Sequence, residues 1–160
     1  AGVGWGGGAV GAVRGGSDVD GRFGVSRNSG GLGFYNTFAA CLSLVPAGVD
    51  FVTLADQDDR WHADKLESLL AEFRPGTTLV YSDMNIVDLD GKVQATSFWV
   101  SRPNGYTDLA SLILLNTITG AATMFRRSLL DDALPFPQKV GQPYHDHWLG
   151  CVALATGEVR

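Results

Sequence analysis

Cysteine is scarce: Cys41 and Cys151 are the two present in 160 residues. Neither has a nearby cysteine partner of the kind that zinc or dithiol redox motifs require, so both are expected as small core residues. Long apolar runs are missing as well. The densest, Leu109 to Leu115, falls well short of the roughly 18 residues needed to cross a bilayer, so no transmembrane segment is expected. Basic charge is in deficit: 12 Lys and Arg against 17 Asp and Glu leave a formal net charge of -5. That balance argues against a nucleic-acid surface, which needs a cationic stripe to neutralise phosphates. The opening Ala1 to Val13 has neither an initiating methionine nor the basic start and apolar centre of a signal peptide. The chain is therefore expected to be a piece of something longer.

What is present fits one soluble domain. A hydrophobic share of 45% beside 18% charged residues supports one ordinary core in a chain of this size. Organisation is uneven along the sequence. Residues 1–21 are glycine-rich and expected to be poorly ordered, and residues 22–160 form the structured part. Arg22 to Ser26 reads as a short strand entering the turn-rich Arg27 to Gly31. Phe34, Phe38, Leu42 and Val45 recur at helical spacing, predicting a helix over Leu32 to Leu44 that Pro46 and Gly48 terminate.

Phe51 to Ala55 is nearly continuous apolar sequence, as expected of a parallel strand covered on both faces. Leu66, Leu69, Leu70 and Phe73 then predict a helix from about Ala63 to Phe73 with one apolar face. Thr77 to Ser82 reads as a strand, and Asn85 to Val87 with Lys92 to Ala95 as a hairpin closed by an Asp-Gly turn. Helices over Leu109 to Leu115 and Ser128 to Ala133 flank a strand at Ala121 to Phe125. A final helix runs from His145 to Thr156, with Trp148, Val152 and Ala155 along one stripe and Gly157 at its end. Alternating strands and helices make an α/β sheet the expected architecture.

The chemistry-bearing feature is Asp56-Gln57-Asp58-Asp59, placed after a strand and before a helix. In extended backbone Asp56 and Asp58 would share a face. Ligands in open α/β sheets bind beyond the carboxyl ends of strands, where this loop is expected. Two adjacent carboxylates resist joint ionisation unless a cation lies between them, and their hard oxygens favour Mg2+ or Mn2+. Magnesium commonly takes one or two protein carboxylates and completes its shell with water and substrate phosphates. A nucleoside diphosphate would then suit an acidic protein. Solvation of a turn and complementing of the next helix dipole is the competing structural role, and Asp59 is the residue it fits best.

The string Thr53 to Trp61 with Lys65-Leu66 resembles the DxD region of family-2 glycosyltransferases, in particular rhamnosyltransferase-like members. Asn28-Ser29-Gly30, Gly33 to Asn36, Tyr81-Ser82-Asp83, Asp88 to Gly91, Thr119-Gly120-Ala121, Phe125-Arg126-Arg127, Pro135-Phe136-Pro137 and His145 to Trp148 fall in the same order. The resemblance runs from about Phe23 to Arg160. It implies a GT-A fold, a Rossmann-like mixed sheet flanked by helices, here incomplete at the N-terminus. The family's opening strand and its acidic nucleotide-base loop have no clear counterpart, Ser17 to Gly21 being a faint echo of the latter.

By position, the resemblance implies donor-binding roles for Asp56, Asp58 and Asn28. Asp58, with Asp56, would hold the Mg2+ or Mn2+ that bridges the donor diphosphate. Asp146 would be the general base, while Thr119 and Gly120 would lie on the acceptor side. The implied reaction is inverting transfer of a sugar, rhamnose among the candidates, from a nucleotide-diphosphate donor to a saccharide or lipid-linked acceptor. Cell-envelope polysaccharide assembly at the cytoplasmic side, with peripheral membrane association, is the implied setting.

Rivals follow from the same residues. A non-catalytic nucleotide-sugar or carbohydrate-binding fragment would keep the metal at Asp58 without turnover. A haloacid-dehalogenase-like phosphotransferase would want Thr or Val where Arg60 stands. Asp88 to Gly91 lacks the further oxygen ligands and closing glutamate of a calcium loop. Trp61 and Trp148 are expected as packing residues, His145 and His147 as caps or solvent-facing groups, and Asp83, Asp88 and Asp90 as turn formers.

Overall fold

The computed structural model describes residues 30–56, 58–99, 101, 105–138 and 144–160. Asn28, the expected strand at Arg22 to Ser26 and the glycine-rich start lie outside them. Among the described residues six strands and five helices follow in the order α1 (Gly33–Leu42), β1 (Phe51–Thr53), α2 (Lys65–Ala71), β2 (Thr77–Tyr81), β3 (Ile86–Val87), β4 (Val93–Ala95), α3 (Leu109–Leu114), a 3-10 turn (Gly120–Ala122), β5 (Thr123–Arg126), α4 (Leu129–Ala133), α5 (His145–Thr156) and β6 (Glu158–Val159).

The main sheet has the order β1-β5-β2-β6. β5 runs antiparallel to both β1 and β2, whereas β6 runs parallel to β2. The sheet is therefore mixed, and β1 is not the parallel strand, covered on both faces, that its apolar run suggests. Its three residues are only half-buried, because among the described residues β5 is its one neighbour.

Alternation along the strands sorts the core into two layers. Leu79 pairs with Phe125, and both belong to the large cluster that takes Phe38 and Leu42 from α1, Leu112 from α3, Ala133 from α4, and Leu149 and Ala153 from α5. Val80 pairs with Met124 and turns to the other face, where Leu69 of α2 and the rings of Phe51 and Phe73 cover them. Helices thus flank both faces of an open mixed sheet. Burying Phe125 and Leu79 completely contributes about 1.5–3 kcal/mol each.

Several boundaries depart from the sequence reading. α2 is shorter than the expected Ala63 to Phe73, and of its apolar face Leu69 is buried while Leu66 and Leu70 stay exposed. The inward stripe of α5 is His145, Leu149, Val152 and Ala153, not Trp148, Val152 and Ala155; Ala155 is exposed. Trp148 does pack, donating its indole N–H to the Ala133 carbonyl at 2.9 Å. Trp61 does not, remaining exposed. Both cysteines are half-buried thiols without a disulfide.

The hairpin forms as expected, with Gly91 N–H donating to Asp88 O at 2.9 Å and Asp88 Oδ1 accepting from the amides of Asp90 and Lys92. β6 had no sequence signal. It exists because α5 ends at Gly157, after which Glu158 N–H reaches Gly76 O at 2.9 Å and Arg160 N–H reaches Leu79 O at 3.0 Å. Among the described residues no helix is long and apolar enough to cross a membrane.

The junction between α5 and β6 leaves no space for a side chain. A Cβ on Gly157 would stand 2.5 Å from Thr78 Cγ2 and 2.6 Å from the Gly76 carbonyl oxygen. Gly157→Ala is expected to destabilise the fold by about 1–3 kcal/mol, lowering Tm by several degrees. Gly48→Ala, where a Cβ meets nothing within 4 Å, is the control and should stay within about 2 °C of the parent. Thermal unfolding followed by circular dichroism measures both, and an unchanged Tm for Gly157→Ala would contradict this packing of β6.

Candidate functional site

Asp146 lies in the first turn of α5, where the helix dipole favours an anion. Its carboxylate is fixed from three directions. Oδ2 accepts the Gly120 backbone N–H at 3.1 Å, and Oδ1 accepts from Asn116 Nδ2 at 3.2 Å and from the His147 backbone N–H at 2.7 Å. These donors lower its pKa, yet burial dominates and holds the group above the usual carboxylate range. Asn116 is itself anchored, since its side chain also bonds the backbone of Ile118 at both its N–H and its carbonyl. The result is a preset carboxylate with raised basicity.

Gly120 is required by its neighbour. A Cβ there would stand 2.5 Å from His145 Nε2, so only glycine lets the backbone come close enough for its N–H to reach Asp146. The imidazole of His145 is buried and stacks on Phe38, ring centroids 3.5 Å apart and planes at 11°. Neither of its nitrogens has a hydrogen-bond partner among the described residues. Burial pushes its pKa down to about 4, so it is a neutral ring at physiological pH and not the cap or solvent-facing group expected. His147 is half-buried, with Nε2 2.7 Å from the Leu112 carbonyl; that partner, which can only accept, places the proton on Nε2.

The acidic loop faces this assembly. β1 ends at Thr53, so strict strand alternation does not extend to Asp56 and Asp58. Asp56 is half-buried and Asp58 exposed. Burial raises the Asp56 pKa first, and the charges of Asp59, Asp58 and Asp146 raise it further. Asp59 is raised by burial and by Asp58, against the pull of Lys65. Asp146 is the last of the charges that raise Asp56, so the loop and the α5 N-terminus lie within electrostatic range of each other although 90 positions separate them in sequence.

Thr119, half-buried, leads into the 3-10 turn, its carbonyl accepting from Ala122 N–H at 2.9 Å. Asp56, Asp146, Thr119 and Gly120 are thus brought together, Asp58 borders them at the surface, and Asn28 lies outside the described residues. Sequence reasoning missed Asn116 and the buried role of His145. A polar residue between Leu115 and Thr117 offers no periodic signal, and a histidine before an aspartate in a first helical turn looks like a cap.

Among the described residues no group of three or more His, Cys, Asp or Glu converges in metal-ligating geometry. That donor set does not make a closed zinc or calcium cage. It is compatible with a hard cation held by one or two carboxylates and completed by ligand oxygens, which are the terms on which Mg2+ is usually bound. No protein-family model matches the chain, and no curated protein matches it.

The neutral His145 has a stability consequence. In the unfolded chain the ring protonates near pH 6.5, while in the fold it resists until about 4. Between those values the unfolded state binds more protons, so stability falls as pH drops through that window. The shift corresponds to roughly 3 kcal/mol. Denaturant unfolding of the parent and of His145→Gln, measured from pH 7 to pH 4, is expected to give a shallower loss in the variant. Equal slopes would contradict the burial of this ring.

Proposed function

We propose that this chain is catalytic-domain sequence of an inverting glycosyltransferase with a GT-A, Rossmann-like arrangement, moving a sugar from a nucleotide-diphosphate donor to a saccharide or lipid-linked hydroxyl. The observation that carries the reading is the juxtaposition of a preset, raised-pKa carboxylate, Asp146, with the acidic loop at Asp56. The order of residue motifs described above supports it independently.

Asp58, assisted by Asp56, would hold Mg2+ or Mn2+. The cation's chemistry is to offset negative charge on the departing diphosphate. Asp56 through Asp59 form an electrostatic environment that repels an unaccompanied phosphate and welcomes a cation. Asp146 then acts on the acceptor. A carboxylate offers about four lone-pair directions, and the donors from Gly120, Asn116 and His147 use three of them. An acceptor hydroxyl would take the remaining one. As the acceptor oxygen bonds to the anomeric carbon and the diphosphate leaves with its bonding electrons, the hydroxyl proton passes to Asp146. Burial strengthens that base, while its three hydrogen bonds hold it in line.

Isothermal calorimetry of UDP, GDP and TDP with Mn2+ tests the donor half, and release of nucleoside diphosphate from the corresponding sugar nucleotides tests turnover. Asp58→Ala is expected to abolish metal-dependent binding. Asp146→Asn should leave that binding within about threefold while lowering turnover by about 10²–10⁴. Metal-dependent binding with no turnover would favour a nucleotide-sugar-binding role without catalysis. Absence of metal-dependent binding by the parent chain would overturn the reading.

A further inference from the structure

Lys65 stands where local rules disfavour it, in the first turn of α2, at the positive end of the helix dipole. Its neighbours Leu66, Glu67 and Ser68 are exposed, whereas Lys65 is half-buried. Two contacts and one charge attraction explain that placement. The ammonium donates to the backbone carbonyl of Ala121, it lies 3.9 Å from the centroid of the Trp61 ring, and it senses the carboxylate of Asp59. A solvated surface lysine would make none of them. The exposed Trp61, otherwise without a packing role, is the platform on which this ammonium rests.

The contact with Ala121 matters because of what precedes it. Ala121 occupies the middle of the 3-10 turn Gly120–Ala122, and Gly120 N–H is the donor to Asp146 Oδ2. One side chain therefore spans from the segment bearing Asp59 and Trp61 to the turn that fixes the carboxylate of Asp146. Arg60, the other cation next to this loop, has its guanidinium against Gly91 of the hairpin.

We propose that Lys65 is a positioning residue that holds the Gly120–Ala122 turn in register with the acidic loop and thereby fixes Asp146 relative to it. Its catalytic consequence rests on the glycosyltransferase reading above. Lys65 touches no reacting atom; it acts through a backbone carbonyl and the amide one residue earlier.

The test uses the 160-residue chain, with Lys65→Met removing donor and charge at similar volume and Lys65→Arg restoring both; Lys65→Gln replaces the methionine variant should that one fail to fold. Hydrogen exchange at the Gly120 amide, followed by NMR, is expected to accelerate about tenfold or more in Lys65→Met. Nucleoside diphosphate release from UDP-, GDP- or TDP-linked hexoses should lose about 10–100-fold in kcat. The calorimetric Kd of the nucleoside diphosphate with Mn2+ should stay within about threefold. Lys65→Arg should return all of these toward the parent. Unchanged exchange at Gly120 in Lys65→Met would overturn the proposal, as would a Kd that weakens as much as kcat falls, which would mark a charge role in the acidic loop. If the parent chain itself shows no turnover, the enzymatic reading fails, and the exchange measurement still decides whether Lys65 holds the turn.

Discussion

A half-buried carboxylate needs donors whose positions are fixed before it arrives, and Asp146 imposes that condition on three separate pieces of chain. Asn116 comes from the segment after α3, Gly120 from the turn before β5, and His147 from α5 itself. Leaving any one of these groups unmatched in the interior costs about 1–3 kcal/mol. The start of α5, the path from α3 to β5 and the entry into an interior strand of the sheet are therefore registered against one another by a single side chain. His145 tightens the condition: packed between Phe38 and the Gly120 backbone, it admits no side chain at position 120. A neutral ring and a carboxylate held by three hydrogen bonds stand side by side, and the local backbone has little freedom left.

The acidic loop is built on the opposite principle. Asp56 is raised by burial and then by Asp59, Asp58 and Asp146, and Asp59 by burial and then by Asp58, so the loop stores repulsion instead of satisfying it. Stability alone would favour fewer carboxylates there, and natural proteins keep such unfavourable arrangements chiefly where function requires them. The helix that follows adds a second departure, a lysine at its positive end. Each departure is intelligible through the other: the ammonium gains from Asp59 part of what it loses to burial and dipole.

How much of this was legible in sequence depends on whether a residue's role is local. The hairpin at Asp88 to Gly91 and the bounds of the helix His145 to Thr156 were legible because turn and helix-ending chemistry acts over a few residues, although the stripe that helix buries is not the one its spacing suggests. Asp56 and Asp146 could be singled out, the first by its loop and the second through a resemblance. Their proximity could not be read, because it depends on β5 lying between β1 and β2, and nothing in an apolar run states its neighbour or direction. The same limit explains β1, whose composition suits a parallel strand covered on both faces although it pairs antiparallel with β5. Leu66 and Leu70 fit a helical stripe yet stay exposed, since period alone does not say how wide the receiving surface is. Asn116 and His145 were illegible for the complementary reason: their importance lies wholly in contacts made across the fold.

The two acidic elements also make sense as a pair whose protonation is meant to diverge. Without a cation, burial and then the charges of Asp59, Asp58 and Asp146 raise Asp56, whereas Asp146 is raised by its own burial. A divalent ion at Asp58 and Asp56 would reverse that for the loop, because a local positive charge favours the ionised form strongly and over short range. Asp146 would feel the ion less, being held by its own three donors and by burial. The loop would then be fully ionised and charge-matched to a diphosphate, while Asp146 kept enough basicity to take a proton. Separating a metal-holding acid from a proton-accepting one through environment alone is a recurrent solution in enzymes that use two carboxylates for two tasks, and under the proposed reading that division of labour gives Asp146 its three hydrogen-bond donors a purpose.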